Sequence, residues 1–193
     1  MEKLRQTPSQ TVGPFFAYGL TARQYGYDYT SIADESIVSD GTAGVQISIK
    51  GNIFDGAGDV IPDAMIEFSQ ADEKGKYRSA PIQSANSGFI GFGRLGTGTS
   101  PDKSYCFTTV KPGSVKGQAP HINIILFMRG SLRHVYTRLY FSDENNEHDP
   151  LLISVDPGRK QTLIAQRVDI KGNVEYRFDI YMQGEKETLF FDL

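Results

Sequence analysis

The chain is short of the residue types that build disulfides and histidine-rich metal sites. Its 193 residues include one cysteine, Cys106, and three histidines. A lone cysteine cannot form an internal disulfide, and a thiolate zinc site needs several. Residues 1–10 contain no apolar run of the signal-peptide kind, and no stretch approaches the roughly 20 apolar residues of a membrane helix. We therefore expect a cytoplasmic protein that does not enter a membrane.

The chain also lacks an excess of positive charge and the usual motifs of nucleophilic catalysis. It has 20 Lys and Arg against 23 Asp and Glu, a net charge of -3. Phosphate binding needs a concentrated basic face, so no nucleic-acid partner is expected. There is no G-x-S-x-G elbow, and the glycines at 91–96 follow no strand-to-helix pattern of a phosphate-binding loop.

Alternating apolar and polar residues are present in many short segments, which is typical of half-buried strands. The predicted strands are residues 45–54, 64–70, 104–110, 120–127, 135–141, 162–170 and 174–182. Lys171-Gly172-Asn173 predicts a hairpin between the last two. A helical turn is predicted at 150–154, and the glycine-rich residues 88–98 are predicted to form a loop. The fold class is all-β, a β-sandwich in one domain over residues 1–193 with long loops.

The first forty residues lack this alternation. Pro8 and Pro14 fix the backbone and remove hydrogen-bond donors, so residues 7–16 are predicted to form an extended arm. The polar and aromatic residues 18–29 predict a loop. An arm this rich in apolar side chains should lie across its own domain or a neighbour. We therefore assign residues 1–40 to arm and loops and residues 41–193 to the sandwich core.

Two positions on the most apolar predicted strand bear on function. His121 and Asn123 are two residues apart and share one face, but a metal-binding pair at this spacing would need a second histidine where Asn123 stands. The simpler interpretation is that His121 is a hydrogen-bonded strand histidine; His134 and His148 are expected to be solvated. Arg129 ends the same strand, where its guanidinium would suit a carboxylate. The alternative is an ordinary surface arginine.

Several segments, in order along nearly the whole chain, carry a family resemblance. They are residues 7–14 (TPSQTVGP), 54–56 (FDG), 70–72 (QAD), 75–77 (GKY), 110–113 (VKPG), 119–124 (APHINI), 129–130 (RG), 137–141 (TRLYF), 176–180 (YRFDI), 183–185 (QGE) and 187–188 (ET). With these segments the chain resembles the intradiol aromatic-ring dioxygenases. Within that family it is similar to the alpha type of subunit, which does not bind the metal.

The resemblance implies an activity shared between two homologous β-sandwich chains. A partner beta chain would hold a non-haem Fe(III) through two tyrosines and two histidines, and alpha–beta protomers would assemble further. The holoenzyme would cleave protocatechuate between its hydroxyls with O2, giving 3-carboxy-cis,cis-muconate. The alternative is a free-standing β-sandwich binding module without a catalytic partner, since unrelated functions share such folds.

The resemblance also implies which positions once corresponded to ligands. These are Tyr77, Val115, His121 and Asn123, of which Val115 and Asn123 replace a tyrosine and a histidine. Two ligands cannot neutralise a ferric ion, so no metal and no catalytic residue of its own are expected in this chain.

What the alpha type adds, by the same resemblance, is one wall of a substrate funnel. The candidate lining residues are Thr11, Gly13, Pro14 and Phe15 of the arm, together with Arg129 near the carboxylate end of the substrate. Two positions depart from the family's usual residues. Phe15 stands where a tyrosine is common, and Ser69 stands where a tryptophan is common, so packing beneath the former ligand positions should differ.

Overall fold

The computed structural model describes residues 5–29, 31, 33–78 and 88–192. The parts of the expected arm at residues 1–4, 30 and 32, and of the expected core at 79–87 and 193, lie outside these ranges. Two α-helices are described, α1 (Phe16–Leu20) and α2 (Pro150–Ser154), with 3-10 turns at Ala22–Tyr25 and Lys160–Leu163. The strands are β1 (Gln46–Gly51), β2 (Ile53–Phe54), β3 (Met65–Gln70), β4 (Phe92–Gly96), β5 (Tyr105–Val110), β6 (His121–Phe127), β7 (Val135–Phe141), β8 (Ile164–Ile170), β9 (Asn173–Arg177) and β10 (Ile180–Tyr181).

Eight of these strands form one sheet in the order β4-β3-β6-β7-β8-β9-β1-β5. The two halves of this sheet meet where β7 and β8 run parallel, through the pairs Tyr140–Ile164 and Phe141–Ala165. The two halves face each other across the core, and the sheet nearly closes into a barrel. The short strands β2 and β10 pair separately. The sandwich and the largely β composition are thus confirmed.

The core lies between the two halves of the sheet. The ring of Phe68 on β3 stacks on that of Phe107 on β5 at 3.7 Å between centroids. Phe141 meets Tyr176 edge to face at 4.8 Å. Ile122, Ile124 and Leu126 of β6 are all buried against this core. On the opposite face of β6, His121 is buried and the residues that follow it are half-buried. The strand 120–127 is therefore a core strand with one fully covered face.

Several sequence predictions need correction. The glycine-rich residues 88–98 contain β4, because Gly93 gives the room that the Phe68 ring occupies: a Cβ there would lie 2.3 Å from Phe68 Cζ. Residues 18–29 contain parts of α1 and the 3-10 turn. The predicted strand 162–170 begins as a 3-10 turn, and 174–182 breaks between β9 and β10.

The predicted helical turn at 150–154 is α2, and the hairpin at 171–173 joins β8 to β9 in antiparallel register. Within the described ranges, no helix has the length and apolar character needed to cross a membrane.

Candidate functional site

Tyr77, His121 and Asn123, three of the four positions that the resemblance matches to metal ligands, come together at the start of β6. The antiparallel register puts Asn123 between Ser69 on β3 and Arg138 on β7. His121 is paired with Tyr140 on β7. Since alternate residues share a face, these side chains form one polar patch at the start of β6.

Tyr77 is brought to this patch by a tight turn. The carboxylate Oδ1 of Asp72 accepts hydrogen bonds from the backbone N–H groups of Lys74 and Lys76, both at 2.9 Å. Gly75 has φ +75°, and a Cβ there would lie 1.8 Å from the carbonyl oxygen of Ser114. The turn can therefore pack closely on residues 113–115 only with glycine at this position.

Val115 lies in a second turn beside the first. Val115 and Gln118 exchange two backbone hydrogen bonds, at 3.2 and 2.9 Å, across Lys116 and Gly117. Both intervening residues have positive φ, 46° and 82°, as a type I′ turn requires. The turn presents the Gln118 side chain to Arg138, and the side chain of Val115 has no atom that could bind a metal.

A chain of side-chain hydrogen bonds links the patch. The hydroxyl of Tyr77 lies 3.1 Å from Nε2 of His121 and accepts from Nδ2 of Asn123 at 2.9 Å. Arg138 donates from Nε to Oδ1 of Asn123 at 3.0 Å and from Nη1 to Oε1 of Gln118 at 2.9 Å. Because the guanidinium holds the amide oxygen, the amide NH2 of Asn123 is turned toward Tyr77.

The protonation of His121 follows from the same contacts. Its Nδ1 lies 2.7 Å from the carbonyl oxygen of Ala119, which can only accept, so Nδ1 carries the proton. Nε2 is then the acceptor for the Tyr77 hydroxyl. Burial lowers the pKa of His121, opposed by the bond to Ala119 and assisted by the nearby Arg138 charge. The imidazole is therefore neutral at pH 7.

Asp149 anchors the segment that enters β6. It is 1% exposed and caps α2 by accepting from the N–H groups of Leu151 and Leu152 at 2.9 and 3.1 Å. Its other oxygen accepts from the Ala119 N–H at 2.9 Å. The Tyr140 hydroxyl donates to Asp149 at 3.1 Å, and burial raises the pKa of that tyrosine to about 12. The start of β6 is thus tied to α2.

These residues do not fit a ferric ion. Within the described residues no group of three or more His, Cys, Asp or Glu side chains could hold a metal. Of the four positions that the resemblance matches to ligands, Tyr77 and His121 have suitable donor atoms but are hydrogen-bonded to each other. Asn123 presents NH2, and the Arg138 guanidinium adds a positive charge beside the position. One phenolate and one imidazole, next to the positive charge of Arg138, would leave most of the charge of a trivalent cation uncompensated.

The other predicted residues lie beyond the opposite end of β6. Arg129 donates from Nε to the carboxylate of Asp63, with 55% and 31% of the two side chains exposed. The Gly130 N–H donates to Oγ1 of Thr11 at 2.8 Å, which fastens the arm to the loop after β6. Pro14 and Arg129 line one cavity of about 280 Å³, whose other lining residues include Asp63 and Lys103.

The structure thus brings Thr11, Pro14 and Arg129 together, and leaves two predicted residues facing outward. Gly13 is exposed, and Phe15 is 77% exposed with its ring 6.1 Å from that of Tyr18. Since β6 spans roughly 23 Å at about 3.3 Å per residue, the cavity beside Arg129 and the polar patch at the start of β6 are separate places in the chain.

Sequence reasoning missed Arg138, Gln118 and Asp149. Arg138 lies on a strand that was predicted, and period-two alternation puts it on the same face as Tyr140. Its partner on β6 depends on strand register, which a single sequence does not reveal. For Asp149 a signal was available, because Asp before Pro at a helix start is a typical N-cap pattern.

The site and fold have counterparts among known proteins. The family model described as Dioxygenase matches residues 20–184. Because this match covers most of the chain and the relatives below are similar over its whole length, the chain belongs to the intradiol ring-cleaving dioxygenase family, whose members are iron-dependent oxidoreductases.

Its relatives define the branch of that family. The chain is 48% identical to the protocatechuate 3,4-dioxygenase alpha chain of Burkholderia cepacia, covering 100% of both chains. It is 40% identical to the alpha chain of Pseudomonas putida, covering 100% of this chain and 98% of the relative. Identity to the Burkholderia cepacia beta chain is 27%, over 75% of this chain and 67% of the relative.

Solved structures agree on the fold. The dioxygenase domain of a carbohydrate-binding fusion protein from Streptomyces sp. SirexAA-E superimposes with a TM-score of 0.61 at 22% identity, covering 95% of this chain and 100% of that one. The intradiol ring-cleavage dioxygenase of Tetranychus urticae also gives 0.61, at 17% identity over 80% of this chain and 88% of that one.

Proposed function

We propose that this chain is the alpha subunit of a protocatechuate 3,4-dioxygenase, which lines a substrate site whose Fe(III) is held by a homologous beta chain. The observation that carries the proposal is the full-length similarity to alpha chains, supported by the hydrogen bonds that join Tyr77, His121 and Asn123 to one another and to Arg138. The reaction would convert protocatechuate and O2 to 3-carboxy-cis,cis-muconate, with the Fe(III) of the beta chain supplying the oxidative chemistry. The lone cysteine and absence of disulfides suit the cytoplasm.

A partner surface is supported by the exposed side chains of the arm and the segment after it. Large hydrophobic side chains that are at least 40% exposed are concentrated here: Phe15, Tyr18, Leu20, Tyr27 and Tyr29. The ring centroids of Phe15 and Tyr18 lie 6.1 Å apart, and those of Tyr18 and Tyr27 and of Tyr27 and Tyr29 lie 6.3 Å apart, so these four aromatic side chains form a continuous patch. An apolar patch of this kind is typical of a surface that a second protein covers. A homologous beta chain is the occupant we propose.

The role of the arm follows from its attachment. Thr11 is held to Gly130 and thereby keeps Pro14 beside Arg129. Gly13 and Phe15, which face outward, would meet the partner and close the funnel from this side. Arg129 would attract the ring carboxylate of protocatechuate, because a guanidinium pairs with a carboxylate through two parallel hydrogen bonds. This chain would thus supply binding and orientation, and no proton-transfer group.

The proposal is tested by expressing the chain alone, with a beta chain, and as the Arg129→Ala variant with a beta chain. We expect iron and protocatechuate cleavage in the complex and neither in the chain alone. Arg129→Ala should raise KM about tenfold with iron content unchanged, the loss expected of one charge-assisted contact. Stoichiometric iron and turnover in the chain alone would contradict the proposal.

The free-standing binding module is the second candidate, favoured by the exposed aromatic residues alone. It predicts that the purified chain stays separate when mixed with a beta chain. Gel filtration of the mixture decides between the two candidates, since only the subunit role requires a complex.

A further inference from the structure

The cavity beside Arg129 contains a second positive charge that the subunit role proposed above does not use. Lys103 lines this cavity together with Arg129, Asp63 and Pro14. It ends the turn before β5, where its backbone N–H donates to the Ser100 carbonyl at 3.0 Å. Its φ is 55°, an uncommon conformation for a residue with a side chain. The turn therefore fixes where the lysine side chain starts.

Lys103 has no counter-ion in the part of the chain that the structure describes. Its Nζ contacts the carbonyl oxygen of Gly98 at 3.4 Å, and no described carboxylate lies within ion-pair distance. The neighbouring Asp102 is used by Lys50, at 3.1 Å. A half-buried ammonium with a single neutral acceptor is poorly compensated, so an anion in the cavity would be favourable.

Arg129 is only partly occupied by its own counter-ion. Asp63 accepts from Nε, and among the described residues neither Nη nitrogen has an acceptor. The end of the guanidinium is therefore available for a carboxylate. The negative charge of Asp63 offsets one of the two positive charges of Lys103 and Arg129, so the cavity has a net charge of about one positive unit. That charge matches a singly ionised carboxylate.

We propose that Lys103 is a specificity-determining residue, which with Arg129 selects aromatic substrates that carry one carboxylate. The proposal rests on the subunit role stated above. Lys103 acts on the carboxylate through its charge, across the cavity from Arg129. Asp63 positions Arg129 and prevents the cavity from favouring dianions. The reacting hydroxyls lie at the other end of the substrate, so Lys103 should affect binding far more than turnover.

The test uses the alpha–beta complex with Lys103→Met and Lys103→Arg. Lys171→Met is the matched control, because Lys171 also has positive φ (50°) but lies in the exposed β8–β9 turn. The measurements are KM and kcat for protocatechuate, and inhibition constants of 4-hydroxybenzoate and 4-methylphenol, which differ in the carboxylate. Iron content and complex size are measured for each variant.

We expect Lys103→Met to raise KM for protocatechuate and the inhibition constant of 4-hydroxybenzoate about fivefold, as one charge acting across a partly solvated cavity would. The constant for 4-methylphenol and kcat should stay within about twofold, and Lys103→Arg should behave like the parent. Equal shifts for both inhibitors, no shift, or loss of the complex would overturn the proposal for Lys103. If only Arg129→Ala has an effect, the subunit role stands and this proposal fails.

Discussion

Replacing Asp149 with alanine should destabilise the fold more than any exposed carboxylate can. The change removes the acceptor of four hydrogen bonds, from Ala119, Leu151, Leu152 and Tyr140. Loss of the α2 cap costs about 1 kcal/mol. The Ala119 N–H and the Tyr140 hydroxyl are left buried, at about 1 kcal/mol each. We therefore expect the free energy of unfolding to fall by about 3 kcal/mol.

The measurement is urea-induced unfolding of the purified chain, followed by circular dichroism, where the midpoint should fall by about 1 M or more. Asp156→Ala is the control, since Asp156 is exposed and accepts one side-chain hydrogen bond, from the Gly158 N–H at 2.8 Å. It should cost less than about 0.5 kcal/mol. The loss of stability for Asp149→Asn should lie between these two values. Asparagine keeps one oxygen as an acceptor but presents its NH2 group to the Ala119 N–H, and both of these groups are donors. A loss below about 1 kcal/mol for Asp149→Ala would refute the reasoning.

Two further predictions concern backbone approach and pH. Gly51→Ala should prevent folding or cost about 3 kcal/mol or more, because its Cβ would lie 1.8 Å from the Phe178 carbonyl oxygen and no rotamer relieves a backbone clash; Gly19→Ala, with nothing within 4 Å, should cost nothing in the same unfolding assay. The lowered pKa of His121 means that the unfolded chain binds a proton more readily than the folded one, so stability should fall as pH drops below the ordinary value of 6.5. A His121→Gln variant should lose that part of the pH dependence in unfolding measured between pH 7 and 5, and an unchanged slope would contradict the assignment.

Local patterns predicted the strands well where one face alternates. β1, β3, β5, β6 and β7 all lie inside predicted strands, because burial on one face imposes period two. β4 was missed because its glycines are required by close packing with residues distant in the sequence. At Gly93 these residues are Phe68 and Ile37. Such contacts leave no trace in neighbouring residues. The boundary between arm and core at residue 40 stays a prediction.

The candidate site was likewise predictable from the sequence only in part. Resemblance pointed to Tyr77, Val115, His121 and Asn123; the structure joins Tyr77, His121 and Asn123 by hydrogen bonds, and Val115 pairs with Gln118, which contacts Arg138. The hydrogen bonds from Arg138 to Asn123 and Gln118 depend on strand register and on a type I′ turn, so the sequence alone could not indicate them. The resemblance indicated Thr11 and Arg129 as lining residues of the same funnel. The structure connects them through a hydrogen bond from the backbone N–H of Gly130 to Thr11. Because every residue except proline has a backbone N–H, the sequence could not indicate this bond.

The length of β6 has a consequence for how such a chain can change. Its two ends share no side-chain contact, and substitutions separated by more than about 10 Å generally act independently. Substitutions at the start of the strand can therefore remove metal ligands while substitutions beyond its end change substrate recognition. Neither set of substitutions needs to affect the other. If two homologous chains divide metal binding and substrate recognition as proposed, the length of β6 is what would let the two functions change independently in this chain.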